Sequence, residues 1–157
     1  MSELQIGEKA PGFNVAIAED KNLSLSELAG KYVVLYFYPK DNTPGCTTQA
    51  KDFNSLLPEF KKLDAEVIGI SKDSLKSHDK FKGLFDLKFH LGSDVECQLC
   101  QDYGVWVQKS MFGKKYMGIN RTSFLIDKAG KIAYIWPKVK VSGHAQEIIG
   151  KIRELSL

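Results

Sequence analysis

Residues 32–38, read as YVVLYFY, form an unbroken apolar, aromatic and β-branched run that stops at Pro39. A strand with one wet face alternates polar and apolar residues. A run without alternation marks a strand buried on both faces, as in the middle of an α/β sheet. Such a strand obliges the rest of the chain to cover it from two sides. Residues 66–71 (EVIGIS) and 122–127 (TSFLID) repeat the signal. The segment 131–136 (KIAYIW) follows a turn at Ala129-Gly130, which predicts antiparallel pairing with 122–127.

Helical patterns fill the intervals. From Ala50, apolar residues recur at Phe53, Leu56, Leu57, Phe60 and Leu63, one face of an amphipathic helix, with Pro58 inside it predicting a kink or restart. A second helix is expected over 74–85, with Leu75, His78 and Phe81 or Phe85 on one face. A last helix is expected over about 143–155, its buried stripe made of Ile148, Ile149, Ile152 and Leu155. The order is strand, helix, strand, helix, hairpin, helix, after a shorter N-terminal segment. It predicts an α/β fold of thioredoxin-like architecture: a central mixed sheet, helices on both faces, and the hairpin as an antiparallel edge.

The chain has 157 residues, no repeats and no linker-like tract, so residues 1–157 are expected to form a single domain. Its net charge of +3 comes from interspersed lysines and acids, which argues against nucleic acid as a partner. Apolar runs such as 32–38 are too short for a membrane span, and residues 1–12 lack the basic start and apolar stretch of a secretory signal. Three cysteines cannot all pair within one chain, which favours a reducing, cytoplasmic setting.

The chemistry concentrates at Cys46. Thr43 suits an N-cap and Pro44 a first helical residue, so Cys46 falls in the first turn of a helix at the carboxyl end of a central strand. Ligands bind at that position in open α/β sheets. A free thiol is only about 3% thiolate at pH 7, and unpaired helix N–H groups favour the charged form. The Thr43 hydroxyl, three residues back, is expected to reach the Cys46 backbone N–H or to point into the same pocket. Position alone leaves an inert, buried cysteine equally open.

The string Pro39-Lys40-Asp41-Asn42-Thr43-Pro44-Gly45-Cys46 resembles the peroxiredoxin signature of Pro, Thr and Cys at spacings of four and three. With Phe37-Tyr38 before it and Thr47 after it, it resembles the Q-type subfamily, the bacterioferritin comigratory proteins. The likeness continues through 66–71 (EVIGIS), 103–106 (YGVW) and 121–127 (RTSFLID), nearly the whole chain in order. It implies a thiol-dependent peroxidase acting on hydrogen peroxide and organic hydroperoxides through a Cys46 sulfenic acid, recycled by thioredoxin or another thiol reductant. It further implies that Thr43 hydrogen-bonds the peroxide, Pro39 shields the sulfur, Arg121 stabilises the thiolate and the leaving oxygen, and Gln49 orients Arg121. No metal or organic cofactor is called for, and relatives of this type suggest a monomer or weak dimer.

Two positions where Q-type members carry a resolving cysteine lack one: Lys51, five after Cys46, and the stretch 77–82 (SHDKFK). Cys97 and Cys100 therefore stand as the candidates for a resolving cysteine. Their C-x-x-C spacing also reads as a thioredoxin-type pair, as half of a zinc site without its other half, or as two helix-turn neighbours with Cys100 in the core and Cys97 more exposed. If neither reaches Cys46, the enzyme works with one cysteine. His78, His90 and His144 have no metal-ligand spacing and are read as surface or core residues. Residues 109–115 (KSMFGKK) are read as a solvated loop, with Trp106 and Phe112 at the rim of the site.

Overall fold

The computed structural model describes residues 4–157. Two short strands, β1 (Asn14–Ala18) and β2 (Lys21–Ser24), form a hairpin and lead through a tight helical turn, Leu25–Leu28, into β3 (Tyr32–Phe37). Helix α1 (Pro44–Ser55) and helix α2 (Leu57–Lys62) follow, then β4 (Ala65–Ser71), α3 (Leu75–Phe85), β5 (His90–Ser93) and α4 (Gln98–Asp102). A separate ribbon of β6 (Trp106–Met111) and β7 (Lys114–Ile119) precedes β8 (Thr122–Ile126), β9 (Ile132–Trp136) and α5 (His144–Leu155).

The main sheet runs β2-β1-β5-β4-β3-β8-β9. β3 pairs parallel with β4 (Val34 opposite Val67) and antiparallel with β8 (Val34 opposite Leu125). The run that read as doubly buried is the central strand, and all six of its residues are buried. Its alternate side chains feed two cores. Tyr32, Val34 and Tyr36 face Ala50 and Phe53 of α1, Phe60 of α2, Phe81 of α3 and Ile148, Ile149 and Ile152 of α5. Val33, Leu35 and Phe37 face Leu28, Leu99, Cys100 and Tyr103. The fold is the expected mixed α/β sheet, but its long helices gather on one face. The other face is closed by α4, the tight turn at Leu28 and Ala10, while the N-terminal hairpin extends the sheet beyond β5.

The Pro58 break is realised: α1 stops at Ser55 and α2 restarts at Leu57 with the proline in its first turn, where no N–H is required. Three expectations are corrected. Leu155 is 44% exposed, because it is the last residue of α5 and lies past the core contact at Ile152. Residues 109–115 are not a loop but the end of a β-hairpin, turned by Phe112 and Gly113, both at positive φ. Phe112 is 97% exposed at that tip and lines no site. Among the described residues no helix is long and apolar enough to cross a membrane.

Candidate active site

β3 ends at Phe37, and Tyr38 extends it by one more N–H donated to the Ile70 carbonyl (3.0 Å). The chain then leaves the sheet through Pro39 to Asn42 and enters α1. Pro44 is the first helical residue, and Cys46 sits in the first turn, 2% exposed. The helix ladder begins with the Thr47 N–H on the Thr43 carbonyl (2.8 Å). The N–H groups of Gly45 and Cys46 therefore precede it and have no partner within the helix.

Thr43 departs from the expected cap. Its side chain makes no bond to the helix N–H groups, and its hydroxyl donates back to the Lys40 carbonyl (3.0 Å). The proline in the first turn has already removed one donor, and the hydroxyl instead closes the loop on itself. Its oxygen keeps lone pairs free on the half-buried side chain.

Arg121 lies in the short link between β7 and β8, far from Cys46 in sequence and adjacent to it in space. Nη2 donates to Cys46 Sγ (3.2 Å), and Nη1 donates to Gln49 Oε1 (2.5 Å). Gln49 is one turn after Cys46 on α1 and 2% exposed, so the acceptor and the sulfur stand on one helix face in front of one guanidinium. A Cβ on Gly45 would lie 3.3 Å from Arg121 Nη2, so a side chain there would crowd the guanidinium. The Arg121 backbone is held too, its carbonyl accepting from the Val139 N–H (2.9 Å). Among the described residues Arg121 makes no salt bridge to a carboxylate. Its charge is directed at the sulfur and at whatever approaches it.

Beneath the site lies Tyr36. Burial pushes its phenol well above the ordinary range, and the nearby Cys46 and Asp41 charges push the same way, so it stays neutral. Half-buried Lys109 faces the site from β6, its ammonium disfavoured by burial and by Arg121 and favoured by Cys46.

Cys97 and Cys100 are not brought to Cys46. Cys46 packs in the core on the α1 face of the sheet, whereas Cys97 and Cys100 pack in the core on the opposite face. Cys100 is fully buried and Cys97, at 9%, is the more exposed of the two, as their helix-turn spacing predicts. Both thiols are held protonated: burial and the neighbouring Asp94 raise each of them. The Asp94 carboxylate is engaged by the Leu99 and Cys100 N–H groups (3.1 and 2.8 Å). All three cysteines are free thiols.

One constellation escaped the sequence. Asp41, in the loop between Pro39 and Thr43, meets His78 of α3 across a buried contact of 2.7 Å. Of the surface and core readings the sequence left open for His78, the structure selects the core, with the side chain 1% exposed. Nothing in the spacing of 37 residues joins it to Asp41; the one available signal was a histidine on an otherwise apolar helix face.

A model of the AhpC/TSA family matches residues 6–135. The Bcp protein of Coxiella burnetii is 50% identical over 149 residues, covering 95% of this chain and 99% of that one. The structure superposes on a cysteine-to-serine mutant of Xylella fastidiosa PrxQ with a TM-score of 0.94 at 37% identity, each chain covered in full (100%). It superposes on the Xanthomonas campestris bacterioferritin comigratory protein, described for its alkyl peroxide reduction activity, with a TM-score of 0.91 at 38% identity, covering 98% of this chain and 100% of that one.

Proposed function

The chain belongs to the AhpC/TSA family, among its Bcp and peroxiredoxin Q members, and is a thiol-dependent peroxidase; on that premise we propose that Cys46 carries the reaction alone, with an external thiol as reductant. The observation that carries the reading is the Arg121 guanidinium, 3.2 Å from Cys46 Sγ and steadied from behind by Gln49.

The Cys46 thiolate attacks one peroxide oxygen in line with the O–O bond. An S–O bond forms, the O–O bond breaks, and the electron pair leaves on the distal oxygen, which takes a proton to become water or an alcohol. Arg121 and the first-turn N–H groups of α1 point at the region where negative charge shifts from sulfur to oxygen. The Thr43 hydroxyl, its own proton engaged by Lys40, accepts a hydrogen bond from the hydroperoxide O–H and aligns it. Pro39 covers the sulfur without adding a donor. A thiol then attacks the sulfenic acid and releases water. A second thiol displaces the mixed disulfide, returning Cys46 and leaving the reductant oxidised.

Thioredoxin and other small dithiols fit that second half-reaction. The opposite-face positions of Cys97 and Cys100 support the one-cysteine cycle, because a disulfide needs Cα atoms within about 7 Å. Three free thiols fit a reducing compartment such as the cytoplasm. Hydrogen peroxide and alkyl hydroperoxides are the substrates proposed, and a monomer or weak dimer suffices, since every group named comes from one chain.

Peptide mapping after one equivalent of hydrogen peroxide tests the cycle. The expected product carries one added oxygen on Cys46, trapped by a sulfenic-acid reagent, and Cys46→Ser forms none while keeping the parent melting temperature. A Cys46–Cys97 or Cys46–Cys100 crosslink would overturn the one-cysteine cycle, and an unmodified Cys46 would overturn its assignment as nucleophile.

A further inference from the structure

The loop that carries Pro39 and Thr43 closes on itself through the Thr43 hydroxyl and the Lys40 carbonyl, which shapes it without fixing it to the rest of the fold. Between the last sheet bond, at Tyr38, and the first helix bond, at Thr47, it is held from outside by Asp41, which is 7% exposed. Asp41 Oδ1 accepts from the Tyr38 hydroxyl (2.6 Å), and Oδ2 accepts from the Ser77 hydroxyl (2.8 Å) and faces His78 Nδ1 (2.7 Å). The Asp41 N–H donates to Asp73 Oδ2 (2.8 Å), which also accepts from the Ser71 hydroxyl (2.6 Å). The next residue, Asn42, takes a positive φ of 59°. Asparagine adopts that left-handed conformation at little cost, so the turn itself is set locally and its placement falls to the Asp41 contacts.

His78 is the keystone of these contacts. It is 1% exposed, and its Nε2 lies 3.1 Å from the Gly92 carbonyl oxygen of β5. A carbonyl only accepts, so Nε2 carries a proton; the short contact on the other side of the ring places a second proton between Nδ1 and the Asp41 carboxylate. The ring thus ties the loop to β5 by hydrogen bonds at both ends. Burial alone would raise the Asp41 carboxyl, but hydrogen bonds from His78, Tyr38 and Ser77 outweigh it and hold the group below its ordinary range. One ligand atom from each of Asp41, Asp73 and His78 falls within 4.8 Å of the others, a spacing that a metal ion could use. Both oxygens of Asp41 and Oδ2 of Asp73 are already taken up by protons from the chain itself, which makes the group a clamp rather than an ion cage.

Resting on the peroxidase reading above, we propose that His78, through Asp41, is a positioning residue for Cys46: it fixes the 39–43 loop so that Thr43 and Pro39 stand ready over the sulfur. His78 touches neither peroxide nor sulfur. Its effect reaches the reaction only through the loop, and that separates two reactivities of one thiol. Alkylation by iodoacetamide requires an accessible thiolate, whereas reaction with peroxide requires the thiolate and an aligned Thr43 and Pro39.

The test compares second-order rates with hydrogen peroxide and with iodoacetamide in the parent, His78→Ala, His78→Asn and Ser77→Ala. His78→Ala is expected to slow the peroxide reaction by roughly 100-fold while changing alkylation by less than about threefold. His78→Asn, which restores a neutral donor toward Asp41, is expected to recover part of the loss, and Ser77→Ala to cost a few-fold. Should His78→Ala fail to fold, judged by circular dichroism, the other two variants carry the same comparison. Folded variants that retain the parent peroxide rate, or that lose both reactivities in equal measure, would overturn the proposal. A parent protein whose Cys46 does not react with peroxide would instead overturn the reading on which it rests.

Discussion

Arg121 has two side-chain partners, and they ask different things of it. Cys46 Sγ takes Nη2 and receives the charge, while Gln49 Oε1 takes Nη1 and supplies only direction. A guanidinium suits this because its planar fork holds two donors at a fixed angle, which a lysine ammonium does not. Among the described residues Gln49 Nε2 is buried without a partner, so the amide meets its surroundings through its oxygen. Gln49→Leu, which keeps the bulk and removes the acceptor, should lower the peroxide rate constant of the parent roughly tenfold; Gln49→Glu, which restores an acceptor, should stay within about threefold of it. Stopped-flow measurement with hydrogen peroxide distinguishes the two, and equal losses would show that the oxygen does not orient Arg121.

Elements carry the site because neighbouring strands approach closely under it. Tyr36 of β3 lies across Gly69 of β4, its partner in register, and stacks on Phe53 of α1 with ring centroids 4.6 Å apart. A Cβ at Gly69 would stand 2.8 Å from Tyr36 Cζ and 3.0 Å from Leu91 Cδ2, and neither buried side chain has room to retreat. Gly69→Ala is therefore expected to destabilise the protein by about 1–3 kcal/mol, read as a lower urea midpoint at unchanged slope. A midpoint equal to the parent's would mean that Tyr36 can swing away. The β6–β7 ribbon shows the opposite economy. Its tip is exposed, and its sequence alternates too weakly to stand out from a loop, so pairing across the Phe112-Gly113 turn makes it a hairpin.

For the molecule as a whole, acid sensitivity follows from buried histidine. His144 is 3% exposed, with Nε2 against Ser123 Oγ (2.8 Å) and Nδ1 against Glu147 Oε1 (3.0 Å). Burial lowers its pKa below the ordinary 6.5, with Glu147 only partly opposing, and burial lowers His90 in the same direction. A histidine depressed in the folded state binds its proton more readily once unfolded. Stability is therefore full above about pH 6.5 and declines as pH falls toward the folded value, by at most about 1.4 kcal/mol per pH unit for each group. Asp41, lowered in its own range, adds a loss only at more acidic pH, as its carboxyl protonates. The melting temperature should fall between pH 7 and pH 5, and His144→Gln should flatten that fall. An unchanged slope in the variant would place the acid sensitivity elsewhere.

What the sequence determined by itself was local or periodic. The unalternating run at 32–38 announced a central strand, Pro58 the helix break, and Thr43-Pro44 the start of the helix that holds Cys46, because each rests on interactions within a few residues. The Pro, Thr and Cys spacing singled out Cys46 as the thiol proposed to react, and its resemblance to a family pointed to Arg121, which lies 75 positions away and touches its sulfur. Tertiary structure alone decided three things. It turned the Thr43 hydroxyl back onto Lys40, set the sheet between Cys46 and the two other cysteines, and brought His78 to Asp41. Each depends on which face of a strand or helix meets which partner. Sequence periodicity states that a face is buried, but only the packed layers state what it is buried against.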